Sequence, residues 1–201
     1  MKILCLANGP SAYVQLFKAL KHNPDRVFGC NKSLRIWSEC TDYVLTDPNN
    51  VTRFREDAEL AQRRGVKLWM PPWAEKSSGL KADCPFSYNL ENRDDYTRET
   101  IAHGRSVGIV MLQLALRSNP SEVLMVGFDG YPDGWQSKHE LSAGARFPEI
   151  ENYGRDRWWQ DVNSAMTGVL TKIVADRTDV KFSWYAPQII VPPTAANVEV
   201  S

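Results

Sequence analysis

The sequence predicts an α/β domain: a single Rossmann-like unit with a mostly parallel sheet and helices on both faces. Three observations predict it. Short apolar runs alternate with stretches of helical period along the chain. Polar and glycine-bearing turns follow those runs. The 201 residues suffice for one domain with a sizeable core.

"KILCLA" (2–7) reads as the first strand, handing over at Asn8-Gly9-Pro10-Ser11 to "SAYVQLFKALKHN", an amphipathic helix with Val14, Phe17 and Leu20 on one face. Ser11 is a good N-cap residue. "RVFGCN" (26–31) and "DYVLTDP" (42–48) read as the second and third strands, the third stopped by Pro48. "NVTRFREDAELAQRRG" (50–65) is a polar helix closed by Gly65, and "VKLWM" (66–70) a fourth strand. Residues 71–98 carry Pro, Gly, Ser and charge without a period and read as a long loop.

"SVGIVMLQLALRS" (106–118) is apolar nearly all round, which predicts a central helix. "EVLMVGFDGY" (122–131) is a buried strand running into a glycine-containing turn, followed by a second loop at 132–154. A long helix (155–178) and a strand at "VKFSWYA" (180–186) complete the domain. The reading is one domain over 1–186, with variable loops at 71–98 and 132–154, and an extended tail at 187–201.

Lys plus Arg total 24 and Asp plus Glu total 24, so no net charge draws the chain to nucleic acid or an anionic membrane. The first apolar run stops at Asn8, short of a signal peptide, and no stretch approaches the roughly 18 apolar residues of a membrane span. The expectation is a cytoplasmic protein without membrane association, its four cysteines reduced. A homo-oligomer is left open. There is no GxxxxGK[ST], so no P-loop.

In open α/β sheets ligands bind beyond the carboxyl ends of the strands. There the sequence places Asn8, Gly9, Pro10 and Ser11, then Cys30-Asn31-Lys32-Ser33, Thr46-Asp47-Pro48-Asn49 and Gly127-Phe128-Asp129-Gly130-Tyr131. Each alone is a turn. Together on one edge they predict a nucleotide-sized cleft. Arg105 precedes the central helix, where it would pair a carboxylate or phosphate or else form a surface salt bridge, and Ser106 and Gly108 open that helix. Asp47 and Asp129 are either Mg²⁺ ligands beside a nucleotide phosphate or residues that brace their own turns.

"LANGPS", "GCN", "TDPNN" and above all "SVGIVMLQLALRSNPSEVLMVGFDGY" resemble, in order and spacing over residues 2–131, the small bacterial sialyltransferases of glycosyltransferase family 42. A broader MptE-like group, including a pterin diphosphokinase and flagellin glycosylation proteins, shares that core. The family resemblance implies a metal-independent transferase with no cofactor, using a nucleotide-sugar donor, CMP-linked, as co-substrate. It implies that Asn8, Gly9 and Ser11 cradle phosphate and ribose, that Asn31 and Asn49 bond the nucleotide or sugar, and that Tyr131 donates to the leaving phosphate. The MptE-like alternative is an ATP- and Mg²⁺-dependent diphosphokinase, and a third reading is a nucleotide-binding module without turnover.

The chain departs from family 42 at the catalytic base. Where the family has a late loop histidine this chain has "ENYGRD", so Tyr153 or Asn152 occupies the region. His139, upstream, is the loop histidine, with Glu140, Glu149 and Glu151 as carboxylate alternatives. Trp135 and Ser137 stand near the place of a second phosphate-binding tyrosine. The acceptor is unassigned by the sequence: a glycan, a small metabolite or a modified base.

Overall fold

The structure is a computed structural model that describes residues 1–9, 11–89, 91–92, 94–130, 155–185 and 192–201, without the side chains of 48–49 and 155–159. Eight strands, β1 (Lys2–Leu6), β2 (Arg26–Cys30), β3 (Asp42–Val44), β4 (Lys67–Met70), β5 (Cys84–Pro85), β6 (Glu122–Val126), β7 (Lys181–Tyr185) and β8 (Val198–Val200), form one sheet. Every pairing is parallel, in the order β5-β4-β3-β2-β1-β6-β7-β8. The helices are α1 (Ala12–Leu20), α2 (Ser33–Ile36), α3 (Pro48–Arg53), α4 (Arg55–Arg63), α5 (Pro72–Ser78), α6 (Val107–Leu116) and α7 (Arg155–Asp176). This is the α/β architecture read from the sequence.

Successive residues of a strand point to opposite faces, so the register sorts the core into layers. Ile3, Cys5, Phe28, Val123 and Met125 pack on one side with α6 and α7. Leu4, Leu6, Leu124 and Val126 face the other side, against Ala12, Leu16 and Ala19 of α1. On that side Tyr43, Leu45, Leu68 and Met70 pack with Ala58 and Ala61 of α4. α6 is buried from Gly108 to Leu116, as its all-round apolar sequence requires.

The order of the strands places the site. From β1 the chain steps outward through β2 to β5, then returns through α6 to lay β6 on the other flank of β1. The direction of winding reverses there, at the carboxyl ends of β1 and β6, the position at which open α/β sheets form their ligand crevice.

Four expectations are corrected. Val14 and Phe17 do not face the core: they are 68% and 65% exposed, with Phe17 edge-on to Trp37 at 6.4 Å. Ala12 and Ala19 bury instead, because a small side chain lets the helix backbone approach the sheet. The 50–65 helix is two helices, broken at Phe54, whose ring is buried. The 71–98 segment contains α5 and β5. The tail contributes β8, its register fixed by Phe182 donating to Asn197 O at 2.7 Å. Among the described residues no helix is long and apolar enough to cross a membrane. The four cysteines are unbridged; burial raises the thiol pKa of Cys5 and Cys30 far above the ordinary value and that of Cys40 to about 12.

Candidate functional site

The turn after β1 and the turn after β6 are locked together. Ser11 N donates to Asp129 Oδ2 at 2.7 Å, and Ser11 Oγ donates to Asp129 Oδ1. Gly9 N donates to Gly127 O at 2.9 Å, extending the pairing in which Ala7 N donates to Val126 O at 2.8 Å. Glycine is required at both places. A Cβ on Gly9 would stand 2.5 Å from Gly127 O, and Gly127 adopts φ +76° with its backbone against Ala7. Asp129 is 1% exposed. Burial raises its carboxyl pKa above the ordinary value, while the two bonds from Ser11 pull it down.

This lock changes what the edge offers a ligand. The amides of Gly9 and Ser11 and the Ser11 hydroxyl, expected at a phosphate, bond protein acceptors here. The same lock is what the bracing reading of Asp129 expects: it ties the β1 turn to the β6 turn. Asp129 accepts from Ser11 through both oxygens, and Asp47 Oδ1 accepts from Asn50 N at 3.3 Å at the start of α3, so each carboxylate braces a turn. Among the described residues no three His, Cys, Asp or Glu side chains gather to hold a metal ion.

Open valences lie on the neighbouring turns. Asn8 Oδ1 and Asn31 Oδ1 are buried without a hydrogen-bond partner among the described residues, at the ends of the adjacent strands β1 and β2. Asn8 Nδ2 reaches Cys30 Sγ at 3.6 Å. Asn31 is held in the left-handed region at φ 48°, its carbonyl accepting from the Tyr43 hydroxyl. A buried carbonyl oxygen left unpaired costs about 1–3 kcal/mol, so both positions favour a ligand bearing hydroxyl or amine donors.

The N-terminus of α6 enters the same edge. Gly108 lies between the ends of β1 and β6, where a Cβ would meet Ala7 Cβ at 3.4 Å and the Phe128 ring at 3.5 Å. Ser106 takes the N-cap backbone conformation, but its hydroxyl caps nothing. Before it, Gly104 and Arg105 are both left-handed, at φ 53° and 52°. Arg105 makes no ion pair among the described residues. The loop is pinned from beneath: Gln113 Oε1 accepts from Ala102 N at 2.8 Å, and Gln113 Nε2 donates to Ala102 O at 2.8 Å. A half-buried helix N-terminus whose cap hydroxyl is unused, flanked by arginine, favours an anion.

On the β3 side Tyr88 stacks between Phe86 and His103, at 5.8 and 6.0 Å, and its hydroxyl donates to Thr46 O at 3.2 Å. Burial raises the Tyr88 phenol to about 12.

The structure thus brings together Asn8, Gly9, Ser11 and Asp129 at the β1–β6 crevice, with Gly108 beneath it and Asn31 on the next turn. Asp47 stands at the β3 end of the same edge. Pro10, Tyr131, His139, Glu140, Glu149, Glu151 and Tyr153 lie outside the described residues, as does the side chain of Asn49. Sequence reading missed Gln113, Tyr43 and Tyr88, and it passed over Lys32 as a turn residue. A polar residue inside an otherwise apolar helix was the available signal for Gln113.

Protein-family models, curated proteins and solved structures give no match to this chain.

Proposed function

We propose that the β1–β6 crevice binds a nucleotide-sugar donor, CMP-linked as the sequence resemblance implies, and that the chain transfers its sugar to an acceptor hydroxyl without a metal ion. One observation carries the reading: the N-terminus of α6, its Ser106 hydroxyl making no cap, stands with Arg105 on the same sheet edge as two carboxamide oxygens that are buried and unpaired among the described residues. Anion acceptance and hydroxyl recognition at one edge are what a phosphorylated ribose or sugar needs.

In the transfer, a base takes the proton of the acceptor hydroxyl as its oxygen attacks the anomeric carbon. The bond from that carbon to the phosphate oxygen breaks, and the nucleotide leaves with the electron pair. Negative charge grows on the leaving phosphate. The α6 dipole and Arg105 are the described groups suited to it, and the resemblance adds the Tyr131 hydroxyl. The base candidates that the sequence offers are His139, Glu140, Glu149, Glu151 and Tyr153, which lie outside the described residues. The acceptor, whether glycan, metabolite or modified base, takes the remaining space. The diphosphokinase reading has less support because Asp129, its candidate metal ligand, already braces the β1 and β6 turns through bonds from Ser11.

Thermal shift against CMP, UMP, GDP and ATP, each with Mg²⁺ and with EDTA, tests the reading. A ligand at a hundred times its Kd stabilises by about 2.7 kcal/mol, a rise of roughly 5–10 °C in Tm. CMP should give that rise in EDTA as well as in Mg²⁺. A response confined to ATP with Mg²⁺, or to none of the four, refutes it.

A further inference from the structure

A surface helix buries one apolar stripe, and a solvated cluster of large apolar side chains marks a face that something covers. α1 has apolar residues on both sides. Ala12, Leu16 and Ala19 pack on the sheet. Opposite them, Val14, Phe17, Lys18 and Lys21 follow the spacing i, i+3, i+4, i+7 and form one outward ridge. Lys21, the C-cap residue, keeps helical backbone and so stays on it. Val14 and Phe17, at 68% and 65%, are more exposed than any other large apolar residue described. Aromatic rings flank them. Tyr13, on the first turn, is 56% exposed, and Trp37, after α2, meets Phe17 edge-on.

The local charge is one-sided. From Asn8 to Pro24 the chain has no Asp or Glu, so the neutrality of the whole chain, which predicted no membrane association, averages over this face. The next acid, Asp25, accepts from Lys2 N at 2.7 Å. The connection after α2 adds Glu39. Lys18 and Lys21 make no ion pair among the described residues.

Shape and charge select the occupant. A partner helix seeks a groove. Here the apolar groups project from a helix, and two hollows of about 430 and 420 Å³ lie elsewhere, at the amino ends of β7 and β8 and of β2 to β4. A two-fold contact between copies through this ridge would bring four ammonium groups together. A lipid surface accepts it: apolar tips enter the acyl boundary, aromatic rings sit at the headgroups, and ammonium groups meet the phosphates.

We infer that the α1 ridge docks this chain on an anionic lipid surface, with Val14 and Phe17 inserted and Lys18 and Lys21 at the headgroups. The contact is peripheral and needs no spanning helix. No residue of the ridge belongs to the β1–β6 crevice, so the inference stands apart from the nucleotide reading.

Co-sedimentation with vesicles tests it, phosphatidylcholine and phosphatidylserine at about 7:3 against phosphatidylcholine alone. Wild type should bind the anionic vesicles and pellet far less with the neutral ones. Lys18→Gln with Lys21→Gln should weaken partition about thirtyfold, near fivefold per lysine. Val14→Ser with Phe17→Ser should weaken it at least about tenfold. All four side chains are exposed, so circular dichroism should match wild type. Wild type alone gives a second reading that no folding defect can spoil: raising salt from about 0.1 to 0.5 M should weaken binding severalfold. Binding that neither pair of substitutions nor salt weakens, equal binding to both vesicles, or no binding to either overturns the inference. So does a dimer, read by analytical ultracentrifugation, that Phe17→Ser dissociates, because the face then belongs to a second copy.

Discussion

Replacing Gly9 by alanine tests whether the β1 and β6 turns are interlocked. The new methyl would sit 2.5 Å from Gly127 O and closer still to Asp129 Oδ2. Gly127 has little room to retreat, because the Ala7–Val126 bond beside it holds the strands in register. The softer response is for Asp129 to swing away, which forfeits the two bonds from Ser11. Bonds to a charged group are each worth about 1.5–3 kcal/mol, and overpacking alone costs about 1–3 kcal/mol. A loss of roughly 3–5 kcal/mol follows, a large share of the 5–15 kcal/mol typical of a folded chain, with Tm down by roughly 10 °C. Urea unfolding at equilibrium reads it. Asp129→Ala should cost less in the Gly9→Ala background than in wild type, by at least about 1 kcal/mol, because the clashing carboxylate is gone. A loss under about 1 kcal/mol in Gly9→Ala, or additive behaviour of the pair, would refute the interlock.

Asp129→Asn reads the pH dependence of the same residue. Burial raises the folded carboxyl pKa, so wild type is favoured with the group protonated and loses that contribution as pH rises from the unfolded value near 4 through the folded one. The stability of Asp129→Asn relative to wild type should therefore increase between about pH 3 and 7; a flat or falling difference means that the Ser11 bonds outweigh burial. Arg105→Gln should weaken CMP binding about tenfold in calorimetry and leave the unliganded protein within ~0.5 kcal/mol, since Arg105 makes no ion pair among the described residues. Unchanged affinity would remove Arg105 from the site. Asp42 is 1% exposed and accepts from Arg26 at 2.6 and 3.1 Å and from Trp69 Nε1 at 2.8 Å. Asp42→Ala should cost about 3–5 kcal/mol in urea unfolding by stranding the Arg26 charge. It should spare nucleotide affinity, because Asp42 lies at the amino end of β3, away from the cleft.

Most of the strands were visible in the chain: six apolar runs of strand length, separated by helical periods, all reappear as β1 to β4, β6 and β7. β5 and β8 were not legible, since two or three residues, one of them Pro85, carry no period. The face of α1 misled because hydrophobicity ranks Val14 and Phe17 above Ala12 and Ala19, whereas close packing on a sheet ranks size first. The site was legible as a set of turns at strand ends. Its internal bonding was not: Ser11 and Asp129 are 118 positions apart, and only the pairing of β1 with β6 brings them together. The unpaired oxygens of Asn8 and Asn31 depend on side-chain directions that no spacing encodes.

The sheet narrows toward its margins, from five residues in β1 and β6 to two in β5 and three in β8. An outer strand with open backbone valences is a template on which a foreign strand can grow. Here one margin is two residues long and ends in a proline. The other places Glu199 in an ion pair with Lys181 at 2.6 Å, a charge that an incoming apolar strand would have to bury. Among the described residues neither margin offers a run long enough to seed a continuous sheet between molecules. Copies of this chain that associate should therefore do so through helical surfaces, and a crowded solution of the native protein should resist the cross-strand growth that leads to fibrils.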